Sequence, residues 1–295
     1  MQKKRQYENA IEIKNLCKQY DGFALKNVEF FVPKGCIMGF IGQNGAGKTT
    51  TIRAILNMLN LDSGDIHILG YDYREEEQQA KEDIGVVFDE MGFHKVLSPI
   101  QLNKMFRGIY KNWEEKTFFD CLERFGLPAR KKVGKFSRGM QMKLQIAVAL
   151  SHRARLLIMD EPTSGLDPVV RNEILDAFLG FVEDEDHSIL LSSHITSDLE
   201  RIADYITFIH QGKILLSDER ITILENHGLL KCSREDAGIV DESSIVGKRL
   251  SRFGAELLVQ DKEQCKRKYP KLLLEDVNLE EIMLFYVDGM RGSGK

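Results

Sequence analysis

No apolar run in this 295-residue chain approaches the roughly 20 residues that a membrane-spanning helix needs. If the protein acts at a membrane, another polypeptide must do the spanning. Cysteine is scarce too: Cys17, Cys36, Cys121, Cys232 and Cys265 are odd in number, far apart and never in a C-x-x-C pair. That spacing argues for reduced thiols and against a disulfide framework or a zinc site. Neither sign of charge dominates, and a net charge of −4 gives no bulk electrostatic case for nucleic acid or anionic lipid. Internal repeats and low-complexity tracts are missing. The start, Met1-Gln-Lys-Lys-Arg-Gln6, looks like a signal n-region, but no apolar segment follows, so it is read as no signal peptide. What remains is 43% hydrophobic content, enough to bury a full core and leave room for an appended subdomain.

The chemistry concentrates in one stretch. Gly42, Gln43, Asn44, Gly45, Ala46, Gly47, Lys48 and Thr49 complete the phosphate-loop pattern G-x-x-x-x-G-K-[ST], with Thr50 next. Cys36 to Ile41, just before it, is short and apolar, as a buried strand is. Thr50 to Leu59, just after it, has helical apolar spacing at Ile52, Ile55, Leu56 and Leu59. The glycines let successive backbone N–H groups converge on phosphate oxygens without a Cβ in the way. The helix N-terminus adds partial positive charge. Lys48 supplies a full charge for the β- and γ-phosphates, and Thr49 a hydroxyl for Mg²⁺.

Leu156 to Met159 is a second apolar run, ending in Asp160 and Glu161. A buried parallel strand reads this way, and ligands sit at the carboxyl ends of such strands. Asp160 is placed to hold Mg²⁺ through water, and Glu161 to polarise the water that attacks the γ-phosphorus. Phosphoryl transfer asks a protein mostly for positioning and charge stabilisation, so one orienting base with metal and lysine suffices.

Together these residues resemble the ATP-binding subunits of ABC transporters over about residues 8–227. The distinguishing element is a signature sequence, here Phe136-Ser137-Arg138-Gly139-Met140-Gln141, entering a helix that runs through Leu150. Ser137 suits an N-cap, and Gly139 permits close phosphate approach. The resemblance implies an α/β P-loop ABC ATPase that hydrolyses ATP, with ATP and Mg²⁺ as its cofactors. Ser137, Arg138, Gly139 and Met140 then face the ATP of a second ATPase subunit, in a homo- or heterodimer. It also implies that Tyr20 stacks on adenine, Asp167 communicates across the dimer and His194 contacts the γ-phosphate. The other partner implied is an integral membrane permease subunit, which places the protein at the cytoplasmic face of the membrane; nucleic acid is not a partner.

Two departures stand out. Ser-Arg-Gly-Met in place of Leu-Ser-Gly-Gly-Gln resembles the ATPases of ABC-2-type exporters. Asp89-Glu90 stands where the family places glutamine after the strand Ile84–Phe88, and Asp89, shorter and charged, is expected either to reach Mg²⁺ through water or to weaken the contact near the γ-phosphate. Residues 91–150 are expected as the helical subdomain, where Phe93, Phe106, Tyr110, Trp113, Phe118, Phe119 and Phe125 form mostly a small core. Some of them, near Phe93–Leu97 and Phe106–Trp113, would line a groove for a short helix of the membrane partner. An antiparallel β lobe lies before this subdomain, and residues 228–290 read as a small C-terminal α+β appendage. Its last helix, Val277 to Val287, would pack Ile282, Phe285 and Tyr286 on the body or on a second subunit. Residues 291–295 read as an aperiodic tail, disordered or foreign to the protein. Overall similarity points to Gram-positive exporters of peptides such as phenol-soluble modulins; a soluble ABC ATPase of cofactor assembly or a regulatory module is the alternative.

Overall fold

A computed structural model describes residues 6–90 and 92–292. The basic start, Met91 and the last three residues of the aperiodic tail lie outside the described residues. Alternating apolar side chains make β1 (Asn9–Tyr20) and β2 (Phe23–Pro33) an antiparallel pair, with Tyr20 opposite Phe23 at the turn. β3 (Ile37–Ile41) is buried throughout: Ile37 and Ile41 enter one core cluster, Met38 and Phe40 the other. Coverage on both faces is why this segment reads as an unbroken apolar run. α1 (Lys48–Ile55) leaves from its carboxyl end. The apolar spacing runs on to Leu59, but the helix stops at the Leu56 cap and Asn57 turns left-handed at φ 52°.

β4 (Ser63–Ile68) and β5 (Tyr71–Asp72) complete a four-stranded lobe in the order β2-β1-β4-β5. α2 (Glu77–Glu82), shorter than the Arg74–Asp83 span its charge pattern suggests, leads to β6 (Ile84–Val87). The helical lobe follows with α3 (Pro99–Phe106), α4 (Glu115–Arg124) and α5 (Arg138–Leu150). Ser98 and Gln101 cap α3 reciprocally. Phe93, Phe106, Trp113 and Phe118 touch in succession, edge-on, stacked and then tilted, with centroids 5.3–5.6 Å apart, so most of the lobe's aromatics hold the lobe together. Val96, Met105 and Ile109 stay exposed beside them.

The chain then returns to alternating strands and helices: β7 (Leu156–Asp160), α6 (Pro168–Phe181), β8 (Ser188–Ser193), α7 (Thr196–Ile202) and β9 (Tyr205–His210). With β10 (Lys213–Glu219) they form a sheet in the order β10-β9-β3-β8-β7-β6, parallel except for β10. One core cluster joins the β lobe and α1 to one face of this sheet; the other joins α3 to α7 to the opposite face.

The C-terminal part holds α8 (Arg220–Asn226), β11 (His227–Cys232), α9 (Arg234–Ala237), β12 (Ile245–Ser251), β13 (Gly254–Gln260), α10 (Lys262–Lys268), β14 (Leu273–Glu275) and α11 (Leu279–Gly292). Its antiparallel sheet runs β12-β13-β11-β14. Ile282 and Phe285 share a core with Leu199, Ile202 and Phe208, and Tyr286 meets Phe208 edge-on, so the last helix packs on the body of its own chain. That helix also continues to Gly292, two residues into the segment expected to be aperiodic. Among the described residues no helix is long and apolar enough to cross a membrane.

Candidate functional site

β3, β7 and β8 are neighbours in the parallel sheet, so their carboxyl ends open on one edge. The phosphate loop, Asp160-Glu161 and His194 therefore meet although they are far apart in sequence. Gln43, Asn44, Gly45, Gly47, Lys48, Thr49, Thr50 and Glu161 line one cleft of about 550 Å³, with Gly22 and Phe23 on its rim. Gly42 and Ala46 are buried and do not line it. A Cβ on Gly42 would stand 2.6 Å from the Ile209 carbonyl oxygen, so this glycine serves packing against β9. Gly47 sits at φ 119°, a conformation that favours glycine.

Lys48 is buried, and its ammonium donates to the Gly42 carbonyl at 2.6 Å. It also stands 3.1 Å from Glu161 Oε1. Thr49 Oγ1 donates to Asp160 Oδ2 at 2.7 Å, and Ser192 Oγ donates to Asp160 Oδ1 at 2.6 Å. Both oxygens of this buried carboxylate are thus held in place. The same Ser192 hydroxyl accepts the Glu161 N–H at 3.1 Å. Ser192 was not singled out from the sequence; its only signal was a polar residue after the apolar run Ile189–Leu191 of a buried strand.

Glu161 occupies the left-handed region, φ 52°, where a non-glycine residue costs on the order of 1–3 kcal/mol. The bonds of its N–H to Ser192 hold it there. His194 Nδ1 lies 2.7 Å from Glu161 Oε2, and the His194 N–H donates to the same oxygen at 3.3 Å. Nδ1 is thus committed to the carboxylate, and Nε2 takes no part in that contact. Glu161 Oε1 is buried and faces the Lys48 ammonium without a hydrogen bond of good geometry.

Mg²⁺ fits this donor set. Among the described residues no group of three His, Cys, Asp or Glu side chains forms a protein cage. Mg²⁺ keeps several waters and leans on one or two protein oxygens plus substrate phosphates, and the hydroxyl–carboxylate pair Thr49–Asp160 meets that need.

Tyr20, expected at adenine, is 40% exposed at the end of β1, with Lys18 Nζ 5.5 Å from its ring centroid. Phe23, across the hairpin turn, lines the cleft and was missed. Ser137 Oγ accepts the Met140 N–H and caps α5. Packing also favours a small residue at Gly139, whose Cβ would crowd Val170 of α6 at 3.1 Å. Asp167 caps α6, accepting the N–H groups of Val169 and Val170 at 3.1 and 3.0 Å. Asp89 pairs with Arg138, a partner its sequence position did not suggest.

Comparison with known proteins agrees with this geometry. The family profile described as ABC transporter matches residues 25–164. The chain is 37% identical over 211 residues to the bacitracin transport ATP-binding protein of Bacillus licheniformis, covering 70% of this chain and 68% of that protein. It is 36% identical over 212 residues to a lantibiotic transport ATP-binding protein of Streptococcus pyogenes, covering 71% of this chain and 90% of that one. A solved ATP-binding subunit of an ABC transporter superposes with a TM-score of 0.66 at 26% identity, over 73% of this chain and 92% of the other.

Proposed function

This chain belongs to the ABC transporter ATP-binding family, whose subunits hydrolyse ATP and work with membrane permeases, and from that premise we propose that it drives export of peptide-like or amphipathic toxic compounds. Two ATPase subunits, in a homo- or heterodimer, close on two Mg²⁺-ATP, hydrolyse them and reopen, moving a separate permease at the cytoplasmic face of the membrane. The observation that carries the reading is the Glu161 carboxylate held between Lys48 and His194 on the rim of the phosphate-loop cleft.

Backbone N–H groups of Gly45, Gly47, Lys48 and Thr49 and the Lys48 ammonium bind the β- and γ-phosphates. Thr49 and, through water, Asp160 would hold Mg²⁺, which when bound neutralises phosphate charge. Glu161 orients the attacking water and accepts its proton as the bond from the γ-phosphorus to the bridging oxygen breaks. Nδ1 of His194 keeps that carboxylate aimed, and its Nε2 meets the γ-phosphate. Ser137 and Gly139, at the start of α5, face the ATP of the partner subunit, and Asp167 couples the two sites. Exposed Val96, Met105 and Ile109 offer the helical lobe's apolar seat for a short permease helix. The names of the bacitracin and lantibiotic transport relatives support the substrate class.

The test is to trap tagged Glu161→Gln with ATP and Mg²⁺ in detergent-solubilised native membranes and identify what co-purifies. An integral membrane protein at about equal stoichiometry is the expected result. A soluble partner, or none, would move the reading to the non-transport ABC ATPases.

A further inference from the structure

Three segments meet at Arg138. Its guanidinium is bonded to the Asp89 carboxylate at the end of the β6 strand path. The same planar group lies flat against Gly165, in the loop between Glu161 and Asp167: a Cβ built there would stand 3.4 Å from Cζ, 3.4 Å from Nη1 and 3.6 Å from Nε. Gly165 has φ +67°, so its backbone favours glycine, and the guanidinium packs on it at ordinary contact distance. About two turns further along α5, Gln145 donates to the Phe88 carbonyl at 3.1 Å. The segment after β6 is thus held by α5 at two consecutive residues.

We infer that Arg138 is a positioning residue that works within its own subunit, tying the signature helix to the segment after β6 and to the loop that carries Glu161 into α6. The inference rests on the catalytic reading above, and it reassigns Arg138 from the partner's ATP to its own chain. The two departures from the usual family pattern, Arg138 and Asp89, are on this account one ion pair. Both side chains are about half exposed, so the pair adds little to folding. Its consequence is geometric: a shift at the nucleotide side of one subunit reaches the α5 surface that the subunit offers to the other.

The test compares Arg138→Asp, Asp89→Arg and the double exchange in the full-length chain. Each single variant should lower kcat about two- to fivefold, the range an exposed ion pair supports, with nucleotide affinity at its own site and melting temperature nearly unchanged. The double exchange should recover most of the lost kcat. A double exchange no better than the worse single variant, with all three chains folded, would overturn the inference and return Arg138 to the partner's nucleotide. Glu161→Gln, measured alongside, reports on the catalytic base separately, since continued turnover there would remove the base without bearing on the charge exchange.

Discussion

Glu161 shows how much a single residue position asks of its surroundings. Its left-handed backbone is tolerated because Ser192 receives its N–H, and its carboxylate is aimed because His194 and Lys48 flank it. Glu161→Gln keeps the shape and removes the base, so nucleotide binding should persist while kcat falls about 100- to 10,000-fold in a phosphate-release assay. His194→Ala should lower turnover strongly with little change in binding, because the imidazole orients the base and leaves the phosphate loop intact. Lys48→Ala should act on binding itself, raising the nucleotide Kd about 100-fold, as expected on losing charge-assisted bonds to two phosphates. Fluorescent-nucleotide titration sets the loss of binding at Lys48 apart from the loss of turnover at Glu161 and His194.

Among elements, the loop after β7, the start of α6 and the start of α7 are bound by one buried carboxylate. Asp198 is 2% exposed; it accepts the Thr163 hydroxyl at 2.7 Å and pairs with Arg171, which also donates to Ser197 at 2.9 Å. These three segments carry Glu161, Asp167 and His194. Asp198→Ala would leave a half-buried guanidinium without its counter-charge and should cost about 3–5 kcal/mol in urea unfolding. Neither Thr163 nor Asp198 was marked by the sequence, since a Thr–Asp contact across 35 residues has no local signature. The helix pattern around Ser137 and the apolar run before Asp160 were legible because capping and burial are local rules.

For the whole molecule, two buried histidines make stability pH-dependent. His152 stacks on Tyr110 with centroids 4.1 Å apart, and His227 donates from Nδ1 to the Ile223 carbonyl and meets the Tyr286 hydroxyl. Burial holds both below the ordinary histidine value of 6.5. The unfolded chain therefore takes up protons that the folded chain refuses, and stability should be level above that value and decline as pH falls below it. The decline is at most about 1.4 kcal/mol per pH unit for each histidine. Urea midpoints at successive pH values should show it, and replacing both histidines by glutamine should flatten it. An unchanged slope would assign the acid sensitivity to carboxylates instead.

What the sequence determined by itself was the nucleotide chemistry and the class of fold. A phosphate loop, an apolar strand ending in two carboxylates and a capped helix are each written in a few adjacent residues whose physics is local. Tertiary structure alone decided who meets whom across long separations. It brought Ser192 to Asp160 and Glu161, put Phe23 in the cleft, seated α11 on the body and paired Arg138 with Asp89. It also extended α11 to Gly292 and formed β12 and β14, whose exposed or short segments carry too little alternation to be read in advance. Such contacts depend on the order of strands in a sheet and on the packing of two layers against it. No window of consecutive residues encodes either.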